Sequence, residues 1–149
     1  MSIDYTQYGG PGTIYMSFYD EETGYILYCS DPGAGQMNKI LWSYGNHGDD
    51  VQLVADLSDV IEDYPCALSF KDKDSGIILT TYHGSDNYAY RSNDSGKNWN
   101  PLSIVSQDDY SYIDGISAVY DFDNRKWAIT LKMVDNENNS NQDGVKFFL

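Results

Sequence analysis

Twenty-three carboxylates, two histidines, two arginines and two cysteines are the groups in this 149-residue chain that could do chemistry. Two carboxylates roughly 5–10 Å apart are enough to hydrolyse a glycosidic bond. With 23 acids, however, some pair meets that spacing by chance, so the count selects no enzyme. His47 and His83 are too few and too far apart in sequence to suggest a zinc centre, and His83 beside Gly84 reads as a loop residue. Asp31 with its following glycines, and Asp135-Asn136-Glu137-Asn138-Asn139, offer the oxygen ligands that calcium takes. Neither has the spacing of an EF-hand, and both read as solvated loops. There is no glycine-rich phosphate loop and no serine nucleophile elbow. The residues therefore imply no cofactor and no metal.

Nine basic against 23 acidic side chains give a formal charge of −14 and a pI near 4.1. Such a chain lacks the basic footprint that direct nucleic-acid binding requires. The charge fits a self-repelling soluble surface, or an acidic decoy that occupies a basic groove. The length suits one domain with a real core. Fourteen tyrosines suit strands that are apolar on one side and wet on the other. Cys29 and Cys66 are too few for a disulfide framework and read as two partly buried thiols, a single bridge remaining open. Residues 1–8 have neither a basic start nor an apolar core, and no run of about 18 apolar residues exists to span a bilayer. The expectation is a cytoplasmic protein without a signal peptide; a phage particle, or excision from a larger protein, stays open.

The elements that must position any site are best written in Tyr88-Ala-Tyr-Arg-Ser-Asn-Asp-Ser-Gly-Lys-Asn-Trp99. Alternation up to Arg91 argues for a half-buried strand, and Ser92 to Gly96 is a cluster of turn formers that stops it. Asp94 can accept hydrogen bonds from the turn amides, Gly96 can take positive φ, and Trp99 returns apolar area to the sheet. Ser92, Asp94, Gly96 and Trp99 match Ser-x-Asp-x-Gly-x-x-Trp, and on these twelve residues the chain resembles the Asp-box (BNR repeat) sialidase-like β-propellers. The resemblance implies architecture, because in that family the box is a folding element and not a catalytic one.

A repeat supports the same architecture. Ser69 to Leu79 matches Ser17 to Leu27 at a shift of 52, with Ser, Phe, Asp, Gly, Ile and Leu on identical residues. A weaker copy follows at a further shift of 50, with Tyr120, Trp127 and Ile129 in the places of Phe70, Ile77 and Leu79. A period near 50 residues with several strands per unit predicts propeller-like blades. The reading is all-β: a single domain of three four-stranded antiparallel blades at about 13–55, 65–105 and 116–149, the last completed by an N-terminal strand over residues 2–8. Second strands are expected from Tyr25 and Ile77, third strands at Lys39–Ser43, Tyr88–Ser92 and Val145–Leu149, and fourth strands at Val51–Ala55 and Trp99–Val105. Three blades are fewer than the four to eight that close a ring. The reading favours a homodimer forming a six-bladed ring; a place in a larger polypeptide, or an axis-free packing of three sheets, stays open.

In the family that the chain resembles, ligands bind the face opposite the Asp boxes. Carried over, that face holds Ser30–Asn38, Tyr82–Asn87, Gln107–Gly115 and Asp135–Gly144, with Asp31, Tyr82, His83, Asp86, Asn87, Tyr110 and Tyr112 as ligand-binding candidates. Rings stack on sugar faces, and amides and carboxylates bind hydroxyls, so these loops suit a carbohydrate. Sialidases of the family clamp their substrate with three arginines, and this chain has only Arg91 and Arg125, both expected on the Asp-box side. The family's Arg-Ile-Pro motif is absent too, so sialidase activity is not expected. The functional expectation is a non-catalytic module that binds a glycan or surface ligand. The alternatives are an acidic inhibitor or decoy of a basic nucleic-acid-handling protein and, more weakly, a hydrolase whose site is shared across a dimer.

Overall fold

The structure, a computed structural model, describes residues 3–81, 86–106, 108, 110–135 and 141–149. Among the described residues, eleven strands form three antiparallel meanders. The first sheet is β1 (Gly12–Phe18), β2 (Gly24–Ser30), β3 (Lys39–Gly45) and β4 (Asp50–Asp56) in chain order. The second is β5 (Tyr64–Phe70), β6 (Gly76–Thr81), β7 (Ala89–Ser92) and β8 (Asn100–Pro101). The third has three strands, β9 (Tyr110–Asp121), β10 (Lys126–Asp135) and β11 (Asn141–Phe148), with β10 in the middle.

Alternation explains how the sheets stack, since successive side chains leave a strand on opposite faces. Ile78 of β6 joins Leu27, Leu41, Phe70 and Trp99 in a core between the first and second sheets. Its neighbours Ile77 and Leu79 turn the other way and join Ile113, Trp127, Ile129 and Leu131 between the second and third. The middle sheet is thus covered on both faces, and Ile77, Ile78 and Leu79 have no solvent exposure. Truncating one of them to alanine costs about 2–5 kcal/mol on the scale of large-to-small core changes. Hydrogen bonds fix the sheets to one another: the Phe70 amide donates to Ser17 Oγ at 2.7 Å, and Trp127 Nε1 donates to Ser69 Oγ at 3.2 Å.

The 52-residue repeat is a repeat of register. Phe18 pairs with Gly24 and Phe70 with Gly76. A Cβ on Gly76 would lie 2.6 Å from the Phe70 ring, so the glycine lets the ring lie flat across the partner strand. In the third sheet Tyr120 pairs with Trp127, and Asp121 has joined the strand opposite Lys126. This hairpin is one residue shorter than equal spacing predicts, and Arg125 takes the left-handed backbone (φ 54°) that the tighter turn needs. Each turn is nevertheless held by the same device, an aspartate accepting two backbone amides: Asp20 from Glu22 and Thr23, Asp72 from Asp74 and Ser75, Asp121 from Asp123 and Asn124.

Other expectations need correction. Residues 2–8 were expected as the fourth strand of the third sheet, but Thr6–Tyr8 is a 3-10 turn lying on the first sheet. Its aromatic residues are spaced three apart, which suits a three-residue helical turn rather than a strand. Tyr5 stacks on Tyr28 at 5.5 Å and Tyr8 meets Trp42 edge-on at 5.7 Å. Among the described residues the third sheet has no fourth strand, and the three sheets do not close into a ring. The fourth strand expected at Trp99–Val105 is only Asn100–Pro101, since Pro101 brings no N–H to a ladder. The chain beyond it is held by a side chain instead: the Tyr88 hydroxyl accepts from the amides of Ile104 and Val105 at 2.6 and 2.8 Å. The loop expected at Asp135–Gly144 is already strand from Asn141. No helix among the described residues is long and apolar enough to cross a membrane.

Candidate functional site

Antiparallel meanders put alternate connections at opposite ends. One end carries the turns at 19–23, 46–49, 71–75 and 122–125 together with the turn at 93–99; the other carries the 31–38 loop and the 57–63 linker between the first two sheets.

The end with the 93–99 turn is built for rigidity. Ser92 is fully buried, and its Oγ accepts from the amides of Asp94 and Gly96 while donating to Asp94 Oδ1 at 2.9 Å. Asp94 in turn accepts from the backbone and side-chain amides of Asn98, and these bonds hold its carboxyl below the usual carboxylate range. Trp99 Nε1 donates to the Gly96 carbonyl at 2.9 Å, and the indole meets Phe70 edge-on. Ser95 and Gly96 both sit at positive φ, and a Cβ on Gly96 would be 2.6 Å from Leu41 Cδ2 of the first sheet. Ser95 also donates through its amide and its hydroxyl to Asp74 in the neighbouring turn. The polar groups of Ser92, Asp94 and Trp99 are therefore engaged within the turn. Arg91 is at this end too: it donates to Asn93 Oδ1 and lies over the Trp127 ring. Arg125 occupies the β9–β10 turn.

The opposite end carries a cleft of about 390 Å³ between the 31–38 loop and the 57–63 linker. Gln36, Asn38, Lys39, Ser58, Asp59 and Glu62 line it. Lys39 begins β3 in phase with the core residue Leu41, so its stem runs inward and the residue is only 2% exposed. Its ammonium donates to the Met37 carbonyl at 3.2 Å. Burial pushes the Lys39 pKa down, opposed by Cys29, Asp63, Asp56 and Asp59. The linker is fastened to the same strand: the Leu57 amide donates to the Lys39 carbonyl at 2.7 Å, and the Lys39 amide donates to Ser58 Oγ. The result is a polar cleft with one cation at its floor and carboxylates at its rim, of a size that small ligands use.

Asp31 is exposed on the 31–38 loop beside this cleft, but does not line it. Asp86 is exposed and Asn87 is half-buried, its carbonyl accepting from Thr80 Oγ1. Tyr110 and Tyr112, expected in a loop, lie in β9; both are half-buried, and Tyr110 packs against the second core. Tyr82 and His83 fall outside the described residues. Lys39, Ser58, Asp59 and Glu62 escaped the sequence reading. The available signal was a charged residue in phase with the inward-facing Leu41, directly ahead of Ile40-Leu41-Trp42.

Against known proteins, no family model and no curated protein matches the chain. Among solved structures it is similar to one described as "YCF48 bound to D1 peptide", with a TM-score of 0.52 and 15% identity. The likeness covers 89% of this chain and 40% of that one, so the chain spans less than half of its neighbour's length. YCF48 is a β-propeller protein, and the likeness supports a β-propeller fold.

Proposed function

We propose that this chain is a non-catalytic recognition module of Asp-box propeller type, which binds a hydroxyl-rich ligand, a carbohydrate, in the cleft beneath the 31–38 loop. The observation that carries the reading is that cleft of about 390 Å³, with the buried Lys39 ammonium beneath Gln36, Asn38, Ser58, Asp59 and Glu62. Amide, hydroxyl, carboxylate and ammonium groups at one place match the mixed donors and acceptors of a sugar. The acids outnumber the single lysine, so a neutral or amine-bearing glycan suits the cleft better than a carboxylate-bearing one. This separates the module from a sialic-acid binder.

Calorimetric titration against neutral, amino and sialylated glycans tests the reading. Binding of the first two classes, lost in Lys39→Met and weakened in Asp59→Asn, is the expected result; a blank across all classes overturns it. An unstructured peptide belongs in the same titration, because the neighbouring propeller is described as bound to a peptide.

The charge of −14 favours a second reading, an acidic decoy that captures a basic nucleic-acid-handling protein. That complex would weaken steeply with salt, and the glycan complex would change little. A salt series on any recovered partner separates the two.

A further inference from the structure

We propose that the two outer faces of the three-sheet arc are the halves of one interface, completed by a second copy of this chain. The first sheet of each copy packs on the third sheet of the other about a two-fold axis.

The opening strands of the three sheets converge. Met16 and Phe18 of β1, Leu68 and Phe70 of β5, and Ala118 and Tyr120 of β9 line one shared groove. Sheets stacked face to face around such a line need a neighbour on each side, and only the middle sheet has both. On β1, Tyr15 and Ser17 point toward the second sheet, so Ile14, Met16 and Phe18 point away from it. They are 52%, 50% and 42% exposed, and Leu53 on the same face is 58% exposed. The residues before β1 cover Tyr28 and Trp42 and leave these four open.

The far face has a different character. In β10 and β11, Leu131, Met133, Val145 and Phe147 point toward the second sheet, which puts Lys126, Lys132, Lys146 and Phe148 on the outside, with Asp121 and Asp114 paired across from Lys126 and Lys132 on the same face. Val119 of β9, paired with Ala128, joins them; it is 62% exposed and Phe148 is 65% exposed. Among the described residues none of these three lysines is in an ion pair, and they outnumber the two carboxylates beside them. The first face carries the complementary charge: Asp56 pairs with Ile40 on that side, and Asp4 lies in the shallow pocket beside Leu53 and Trp42.

Two first-sheet faces would set carboxylates against carboxylates, whereas unlike faces bring the lysines of the third sheet to the carboxylates of the first. A contact between unlike faces closes when its rotation is a half-turn. Three sheets from each copy then make a ring of six, within the four to eight of closed propellers. Exposed apolar faces and sheet edges of this kind are what natural monomers avoid.

The test is sedimentation equilibrium on the whole chain, with near-ultraviolet circular dichroism to check that each variant is folded. Wild type is expected at twice the 16.8 kDa chain mass. Met16→Asp with Leu53→Asp breaks one face, Val119→Asp with Phe148→Asp breaks the other, and each double variant alone is expected as a monomer. Mixed in equal amounts they are expected to form a heterodimer, weaker than wild type, through the one contact that both leave intact. Lys132→Glu with Lys146→Glu should dissociate the wild-type dimer without changing the fold. Wild type at the mass of one chain overturns the proposal, as it would if another part of a longer polypeptide occupied these faces. A dimer that survives either double variant, or a mixture that stays monomeric, also overturns it.

Discussion

The hairpins β3–β4 and β7–β8 occupy corresponding places in the first and second sheets but are held in different ways. In β7–β8 the turn residues do the holding: Ser92, Asp94 and Trp99 bond the turn to itself, and Ser95 bonds it to the next turn. Only two residue pairs of ladder follow, Tyr90 with Pro101 and Arg91 with Asn100. The β3–β4 turn has no such side chains. Asn46, His47 and Gly48 all sit at positive φ, and the strands beyond them are seven residues long. A turn closed by its own side chains can end a sheet in two residues, whereas a turn that brings strain needs a long ladder to hold it.

Four substitutions break or sharpen this contrast, and reversible denaturant unfolding is the common measurement. Trp99→Ala should cost the most, about 3–5 kcal/mol, since it empties a core position and frees the Gly96 carbonyl. Gly96→Ala comes next at about 1–3 kcal/mol, from positive φ and the close approach of Leu41. Asp94→Ala should cost about 1 kcal/mol, because the carboxylate is exposed and its bonds are partly screened. That contribution also depends on pH. The folded pKa lies below the ordinary value, so the stabilisation is complete above about pH 4 and fades as the pH falls through the lowered value. Asp94→Ala should therefore flatten the acid limb of a plot of melting temperature against pH; an unchanged limb would show that the Asp94 carboxylate is not coupled to folding. His47→Gly is the smallest and has the opposite sign. It relieves a left-handed residue and loses only the exposed Glu22 contact, so a gain of about 0.5 kcal/mol is expected.

The strand pattern was legible wherever period-two alternation met turn formers. Ser17–Leu27 and Ser69–Leu79 could be aligned because Phe-to-glycine packing constrains both hairpins in the same way. What stayed hidden depended on contacts distant in sequence. Residues 3–8 alternate well enough to read as a strand, but Tyr5 and Tyr8 find Tyr28 and Trp42, which alternation cannot foresee. The stretch after Trp99 looked extended until Pro101 ended its ladder and Tyr88 took over its amides. The cleft was missed for a related reason. Its loop was named, yet the opposite wall is the 57–63 linker, whose residues carry no motif, and Lys39 is significant only because the fold buries it.

Cys29 and Cys66 are both free, and burial pushes each thiol up to about 12. At neutral pH neither supplies the thiolate that attacks disulfides or electrophiles. The β-meanders are closed by hydrogen bonds and aromatic packing, with no covalent staple between them. The folded chain should therefore pass between reducing and oxidising surroundings without changing its connectivity, and its sulfur should report unfolding instead, staying silent to alkylating reagents until the sheets come apart.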